Sequence, residues 1–156
     1  FNNTKKKDEE YYDNTNQTYT YDADAGTVTA TYGDATAKAH ADANATDRDG
    51  VELDPVVVIE GLKTKKIKII KAQAAGILEK TDWYILRKAD ADTDVPSAIT
   101  TFRAAVRTKA AAMETLVTNA SNTAAIQTLY TYVNTADEGD PVVMERPLGE
   151  FPVLGS

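Results

Sequence analysis

Residues 62–117, LKTKKIKIIKAQAAGILEKTDWYILRKADADTDVPSAITTFRAAVRTKAAAMETLV, decide the fold of this 156-residue chain. In the first part Leu62, Lys66, Ile70, Ala74 and Ile77/Leu78 recur at three- and four-residue spacing, with Lys63, Lys65, Lys68 and Lys71 largely off that face. This is the period of an amphipathic helix with a solvated basic side. Pro96 stops whatever precedes it, and Ser97 is a ready N-cap for a second helix. From Ala98 the stripe Ile99, Phe102, Val106, Ala110, Met113 and Leu116/Val117 runs for about five turns. Between the two, Thr81 or Asp82 is placed to cap a short helical segment over residues 83–88, and residues 90–94 read as an acidic loop. Asn119 to Asn122 breaks the second helix, and Ile126, Leu129, Tyr130 and Val133 mark a third, shorter one. The stretch is therefore a helical hairpin with a Thr-Asp-Trp corner.

Upstream, the period changes. Residues 1–17 are polar, with three lysines followed at once by Asp8, Glu9 and Glu10, and read as a solvated lead that only Tyr11 and Tyr12 can anchor. In residues 18–33, Tyr19 and Tyr21 and then Val28, Ala30 and Tyr32 alternate with threonine around an Asp-Ala-Asp-Ala-Gly turn, the pattern of a β-hairpin. An isolated hairpin is marginal in water and needs a further strand, a helix or another chain to lie on. Residues 34–44 alternate with alanine, which leaves strand and helix both open, with strand preferred. Residues 47–50 are a turn, and residues 51–59 read as a strand interrupted by Pro55, ending in the most apolar tetrad of the chain, Val56-Val57-Val58-Ile59. Downstream, the tail carries three prolines together with Val142, Val143, Met144, Leu148, Phe151, Val153 and Leu154. Proline forbids a helix there, so an extended arm lying in a groove of its own or a neighbouring chain is expected. The fold class is α+β in three regions: an acidic β-rich lead (1–61), the helical module (62–133) and the arm (134–156).

Bulk composition excludes more than it assigns. Apolar residues make up 42% of the chain, yet its mean hydropathy is −0.40, because much of that share is Ala and Tyr. No apolar run approaches the ~20 residues of a membrane-spanning helix. The absence of cysteine excludes a disulfide framework and a thiolate metal site or nucleophile. The chain opens at Phe1 rather than Met, as expected of a processed or excised chain. Its net charge of −7 is segmental: residues 1–61 carry 5 basic and 13 acidic side chains, residues 62–110 carry 11 and 5, and residues 111–156 carry 1 and 6. A basic middle between acidic ends suits packing within the chain or between copies better than it suits nucleic acid, which calls for a net basic domain with interleaved aromatics.

No catalytic constellation emerges. The single histidine, His40, has no serine in a triad context. Asp90, Asp92 and Asp94 match the first ligand positions of a calcium loop, but its sixth position is Val95 instead of Gly and its twelfth is Thr101 instead of Glu. Neither an enzyme activity nor a cofactor is expected.

One run of residues resembles a known family. Ile77-Leu-Glu-Lys-Thr81-Asp82-Trp83-Tyr-Ile-Leu-Arg87-Lys, then Val95-Pro96, then Thr101-Phe102-Arg103-Ala-Ala-Val106-Arg107, is similar to a module of tailed bacteriophages. That module is found in tail assembly chaperones and in tail-fibre and other virion proteins, with forms typical of marine and cyanobacterial phages. Thr81, Asp82, Trp83, Arg87, Arg103 and Arg107 fit it, and Phe102 stands where tyrosine is common. The resemblance spans less than half of the chain and does not reach the β-rich lead. It implies a virion structural protein with no catalytic residues, partnered by its own copies and other phage structural proteins as a homo-oligomer; run length and charge, as above, argue against a membrane and against nucleic acid. The alternatives are a soluble assembly chaperone in the host cytoplasm and, third, a receptor- or glycan-binding tip. Trp83 is expected to plug the corner between Ile77/Leu78 and Phe102/Val106, with Asp82 paired to Arg103 or capping the Trp83 segment.

Overall fold

The computed structural model describes residues 2–155. The chain is α+β: short strands fill the first third, four helices follow, and two further short strands lie near the end. Helix α1 (Leu62–Glu79) packs antiparallel to α3 (Ser97–Asn119). Lys63 near one end of α1 donates to the Thr118 carbonyl, Lys71 lies 3.5 Å from Glu114, and Leu78 at the other end meets Arg103. The buried positions of α1 are Leu62, Lys66, Ile70 and Ala74, and those of α3 are Ile99, Arg103, Val106, Ala110, Met113 and Val117. These follow the two stripes of the sequence, with Arg103 added, Ile77, Leu78 and Phe102 half-buried and Leu116 exposed, and Ile70, Val106, Met113 and Val117 form the main core with Leu148 of the arm.

Three boundaries differ from expectation. The segment after the corner, α2 (Asp82–Ala91), takes in Asp90, so the acidic loop begins only at Asp92, whose left-handed conformation ends the helix. Ser97 does not cap α3; it is the first helical residue, and Pro96 precedes it with its fixed φ. The third helix, α4 (Thr123–Tyr130), is capped by Asn122, whose side chain accepts from the Ala125 N–H at 2.8 Å, and it stops short of Val133.

The lead is more ordered than its polarity suggested. Strands β1 (Asn2–Thr4), β3 (Thr18–Asp22) and β4 (Thr27–Thr31) form one sheet in the order β1-β4-β3, with β1 parallel and β3 antiparallel to β4. The hairpin register pairs Tyr19 with Ala30 and Tyr21 with Val28 on one face, and threonine with threonine on the other. Asp22 accepts from the Asp24 and Ala25 N–H groups, and Gly26 supplies the positive φ that closes the turn. Strand β2 (Tyr12–Asp13) pairs with β5 (Thr36–Ala37), and β6 (Ala43–Asn44) pairs with β7 (Val58–Ile59). The alanine-alternating stretch is thus strand in two short pieces. The expected 51–59 strand shrinks to β7 plus one bridge from Thr46 to Glu52, with Pro55 in a bend between. In the tail, β8 (Val133–Asn134) pairs with β9 (Met144–Glu145), so the arm begins as a hairpin and only then runs extended.

Helix α1 takes its N-terminal cap from the lead. Free N–H groups at a helix start need acceptors. Here Leu62 and Lys63 donate to the Ala39 and His40 carbonyls, and Asp42 accepts from the Gly61 N–H at 2.8 Å and from the Thr64 hydroxyl at 2.9 Å. The Gly61 bond, then the Thr64 bond, hold the Asp42 carboxyl below its ordinary pKa. Only glycine allows so close a crossing: a Cβ on Gly61 would stand 2.3 Å from the Ala41 carbonyl oxygen.

Helix α1 and its cap generate three predictions. Gly61→Ala destabilises the fold by at least about 2 kcal/mol in denaturant unfolding. Gly76→Ala, inside α1 with nothing near its Cβ position, stabilises it by about 0.5–1 kcal/mol. Because the folded-state pKa of Asp42 is depressed, its contribution is present above the ordinary carboxylate value of about 4 and is lost as pH falls through the lower folded value. The stability difference between wild type and Asp42→Asn is therefore constant above about pH 5 and shrinks below about pH 4, read from unfolding midpoints across the acid range.

Candidate functional site: a buried arginine corner and a caged lysine

Thr81, Asp82 and Arg103 meet at the corner. Position 103 falls on the buried stripe of α3, so its guanidinium is carried into the core and needs acceptors there. Its Nη1 donates to the Leu78 carbonyl at 2.9 Å and to the Thr81 hydroxyl at 2.7 Å, and lies 2.8 Å from the Asp82 carboxylate. The Thr81 hydroxyl, itself buried, donates to the Leu78 carbonyl at 2.9 Å. One cationic nitrogen thus closes the end of α1, fixes the start of α2 and joins both to α3. Neither Thr81 nor Asp82 caps α2 through its side chain.

Trp83 does not plug this corner. It is 48% exposed, tilted against Tyr84 with ring centroids 3.8 Å apart, and the Arg87 guanidinium lies 5.5 Å from its ring. The corner contact falls to Arg103, while the space between Ile77 and Phe102 is faced by Phe151 and its neighbours in the arm, without Trp83 among its walls. Helix α2 has no buried residue, and Ile85 and Leu86 are exposed beside Trp83. Arg87 and Arg107 are both exposed and are not drawn into the corner, whereas Phe102 packs on the main core.

The arm residues divide into two sets. Leu148 is buried in the core, its N–H bound to the Leu129 carbonyl at 3.0 Å, and Phe151 packs on the same cluster. Phe151, Pro152, Val153 and Leu154 close one side of an open pocket of about 320 Å³ whose other walls are Ile77, Lys80, Thr81 and Phe102. Val142, Val143, Met144, Val153 and Leu154 stay exposed. Between the two sets Arg146 holds Glu150 through Nε at 2.7 Å and Nη2 at 2.9 Å, and the Tyr132 hydroxyl also donates to Glu150. Burial opposes ionisation of Glu150, but the Tyr132 and Arg146 bonds outweigh it and hold the carboxyl below its usual range.

A second polar centre, unforeseen as a unit, joins the lead to the helices. Lys66 lies on the buried stripe of α1 and is only 4% exposed. Its ammonium pairs with Glu10 and sits 4.2 Å from the Tyr130 ring centre and 4.8 Å from that of Tyr11. Two aromatic faces and one carboxylate replace the water that the cation gives up. Burial, then the neighbouring Glu10, pushes the Tyr11 hydroxyl pKa upward, and burial also raises that of Tyr130. The signal in the sequence was Lys66 itself, a lysine at an apolar position of the stripe; nothing local pointed to Glu10, Tyr11 or Tyr130 as its partners.

Several other charges pair locally. Lys68 pairs with Glu60, and Lys88 binds Asp92 at 2.7 Å and Asp94 at 2.9 Å, so two carboxylates of the calcium-like triplet face an ammonium. Among the described residues no group of three or more His, Asp or Glu side chains is placed to hold a metal ion. Among the described residues no helix is long and apolar enough to cross a membrane. No protein-family model, curated protein or solved structure matches the chain.

Arg103→Ala removes the one side chain that binds Leu78, Thr81 and Asp82 together and costs about 2–3 kcal/mol, Asp82 itself being half solvated. Trp83→Ala changes stability by less than about 1 kcal/mol. Chemical denaturation of the two variants separates an arginine corner from a tryptophan one.

Proposed function

We propose that this chain is a non-enzymatic structural component of a bacteriophage particle, in its tail, a fibre or another appendage. It acts by packing against copies of itself and against other structural proteins, and its location is the virion. The observation that carries the packing reading is the accessible surface. The chain exposes 10733 Å² at a mass of 16.9 kDa, whereas a compact monomer of that mass exposes about 7,700 Å². The excess of about 3,000 Å² is enough for several interfaces of standard size, each taking roughly 800 Å² from one partner. The excess includes apolar side chains: Val56, Val57, Val58 and Ile59 are 58%, 49%, 54% and 57% exposed. Clustered apolar groups of this kind on a chain surface favour a partner-covered role. The phage assignment rests on the Thr-Asp-Trp and Phe-Arg-x-x-Val-Arg elements of residues 77–107.

A second reading, a soluble tail or fibre assembly chaperone working in the host cytoplasm, is favoured by α2. That helix buries none of its own residues and offers Trp83, Ile85 and Leu86 to a client. Mass spectrometry of purified particles separates the two. Recovery of the chain at many copies per particle is the expected result. Its absence from particles, with presence in infected-cell lysate, overturns the structural reading in favour of the chaperone.

A further inference from the structure

The groove at the corner has two apolar candidates for its filling within one chain. Its walls are Ile77 and Lys80 near the end of α1, Thr81, and Phe102 of α3, and the segment from Phe151 to Leu154 lies against them. Upstream this arm is well fixed, with Leu148 in the core and Glu150 held by Arg146 and Tyr132. Beyond Glu150 its seat is loose. Phe151 is only half-buried and Leu154 is 47% exposed. Open cavities of about 320 Å³ toward α1 and about 460 Å³ toward α3 flank the segment, and Phe102 bounds both. A well-fitted plug leaves no such space, because close-packed apolar contacts tolerate few voids. The second candidate stands beside the first. Thr81 is a wall of the groove and also the residue before α2, so Trp83 follows that wall by two positions. Helix α2 buries none of its residues, and the indole is the largest apolar group it leaves in solvent.

We propose that the end of the arm and helix α2 exchange in this groove. With Phe151 to Leu154 seated, Trp83 stays in solvent; with the arm lifted, α2 turns over the corner and Trp83 packs between Ile77 and Phe102. The inference goes beyond the assembly reading and does not depend on it. Tethering favours α2 as the alternative occupant, because Trp83 is held at the groove at an effective concentration that a separate molecule reaches only when crowded. The corner itself survives the motion. Arg103 keeps its bonds to the Leu78 carbonyl and the Thr81 hydroxyl, both of which precede α2. Only its pair with Asp82 is given up, and that carboxylate is half solvated and contributes little. Tyr84 and Arg87, which touch the indole, belong to the same helix and move with it. The seated arm therefore sets what α2 shows: it keeps Trp83 on the outer face, and its departure withdraws the ring. One sequence with two packings of this kind is a population equilibrium, biased by whatever changes the seat of Phe151.

Trp83 is the one tryptophan of the chain, so its fluorescence reports the exchange directly. Phe151→Leu, Phe151→Ala and removal of residues 151–156 are compared in the otherwise intact chain. The emission maximum is expected to move to shorter wavelength and the acrylamide quenching constant to fall, with the effect growing in that order. Helical circular dichroism and the mass measured by light scattering are expected to stay unchanged. Phe102→Ala added to Phe151→Ala is expected to reverse the shift. Trp83→Ala is expected to lower the unfolding midpoint more in the Phe151→Ala background than in wild type, the coupling that a shared seat produces. Absence of that coupling overturns the exchange even where Phe102→Ala does not fold. A folded Phe151 variant whose tryptophan stays as exposed as in wild type overturns it as well, and so does a shift that persists without the Phe102 ring, which places Trp83 elsewhere. A shift that disappears on dilution, with the mass rising at high concentration, assigns the cover of Trp83 to a second copy and overturns the intramolecular exchange. Loss of the helical signal on losing the Phe151 ring shows that α2 does not replace it, with the same outcome.

Discussion

The buried guanidinium of Arg103 is the interaction on which the helical part depends. Two antiparallel amphipathic helices already bury a stripe of Ile, Val, Met and Ala, but such a stripe sets their relative position loosely. Arg103 removes that freedom. A charged group carried into a core must find acceptors of fixed geometry, and here it finds the last carbonyl turn of α1, a buried threonine and the first carboxylate of α2. The contact is worth more as a geometric constraint than as a source of stability, because Asp82 is half in water and a screened pair contributes little by itself. Its consequence is directional: with the corner occupied, α2 leaves the bundle with its apolar residues facing out.

The other end of the hairpin depends on the lead. Leu62 and Lys63 give their N–H groups to carbonyls of residues 39 and 40, Gly61 gives its own to Asp42, and Lys66 closes over Glu10 between two tyrosine rings. Thr123 at the start of α4 adds a bond to the Lys38 carbonyl at 2.6 Å. Tyr11 and Tyr12 are buried in a small cluster with Leu62, Ala120 and Ile126. The lead is therefore the N-terminal cap of α1 and part of its core. The segmental charge pattern has the same origin: Lys66 and Lys68 of the basic middle meet Glu10 and Glu60 of the acidic lead.

Periodicity made the helical half legible, since both stripes predicted from spacing are the buried faces, down to Lys66 and the turn-by-turn run from Ile99 to Val117. The β-hairpin was legible for the same reason, with alternation and an Asp/Gly turn acting locally. What escaped was non-local. The lysine cage draws residues 10, 11, 66 and 130 together, and no window along the chain contains them. The pairing of Asp82 with Arg103 was legible because both sit beside the corner. Tryptophan departs from expectation because size and apolarity do not say which group the fold brings to the corner: Arg103 ties Leu78, Thr81 and Asp82, and the arm from Phe151 to Leu154 faces Ile77 and Phe102 in place of the indole. The 51–59 strand shrank for a local reason. Its apolar run is real, but the bend at Pro55 splits its pairing into the two residues opposite β6 and the single bridge from Thr46 to Glu52.

That mismatch between apolar content and internal partners recurs in the other short ladders. Two-residue ladders such as β6–β7 and β8–β9 contribute too few hydrogen bonds to order a hairpin in water. Each carries apolar side chains that its own chain leaves in solvent, Val58 and Ile59 in one, Val133 and Met144 in the other. Adding a covering surface supplies both deficits at once, because apolar burial stabilises by about 25 cal/mol per Å² and also removes water that competes for the ladder. The helical core is built the opposite way, with the facing stripes of α1 and α3 covered and the buried cations Lys66 and Arg103 given internal acceptors. The chain thus covers the facing stripes of α1 and α3 and leaves its uncovered apolar side chains on α2 and on its thinly paired strands.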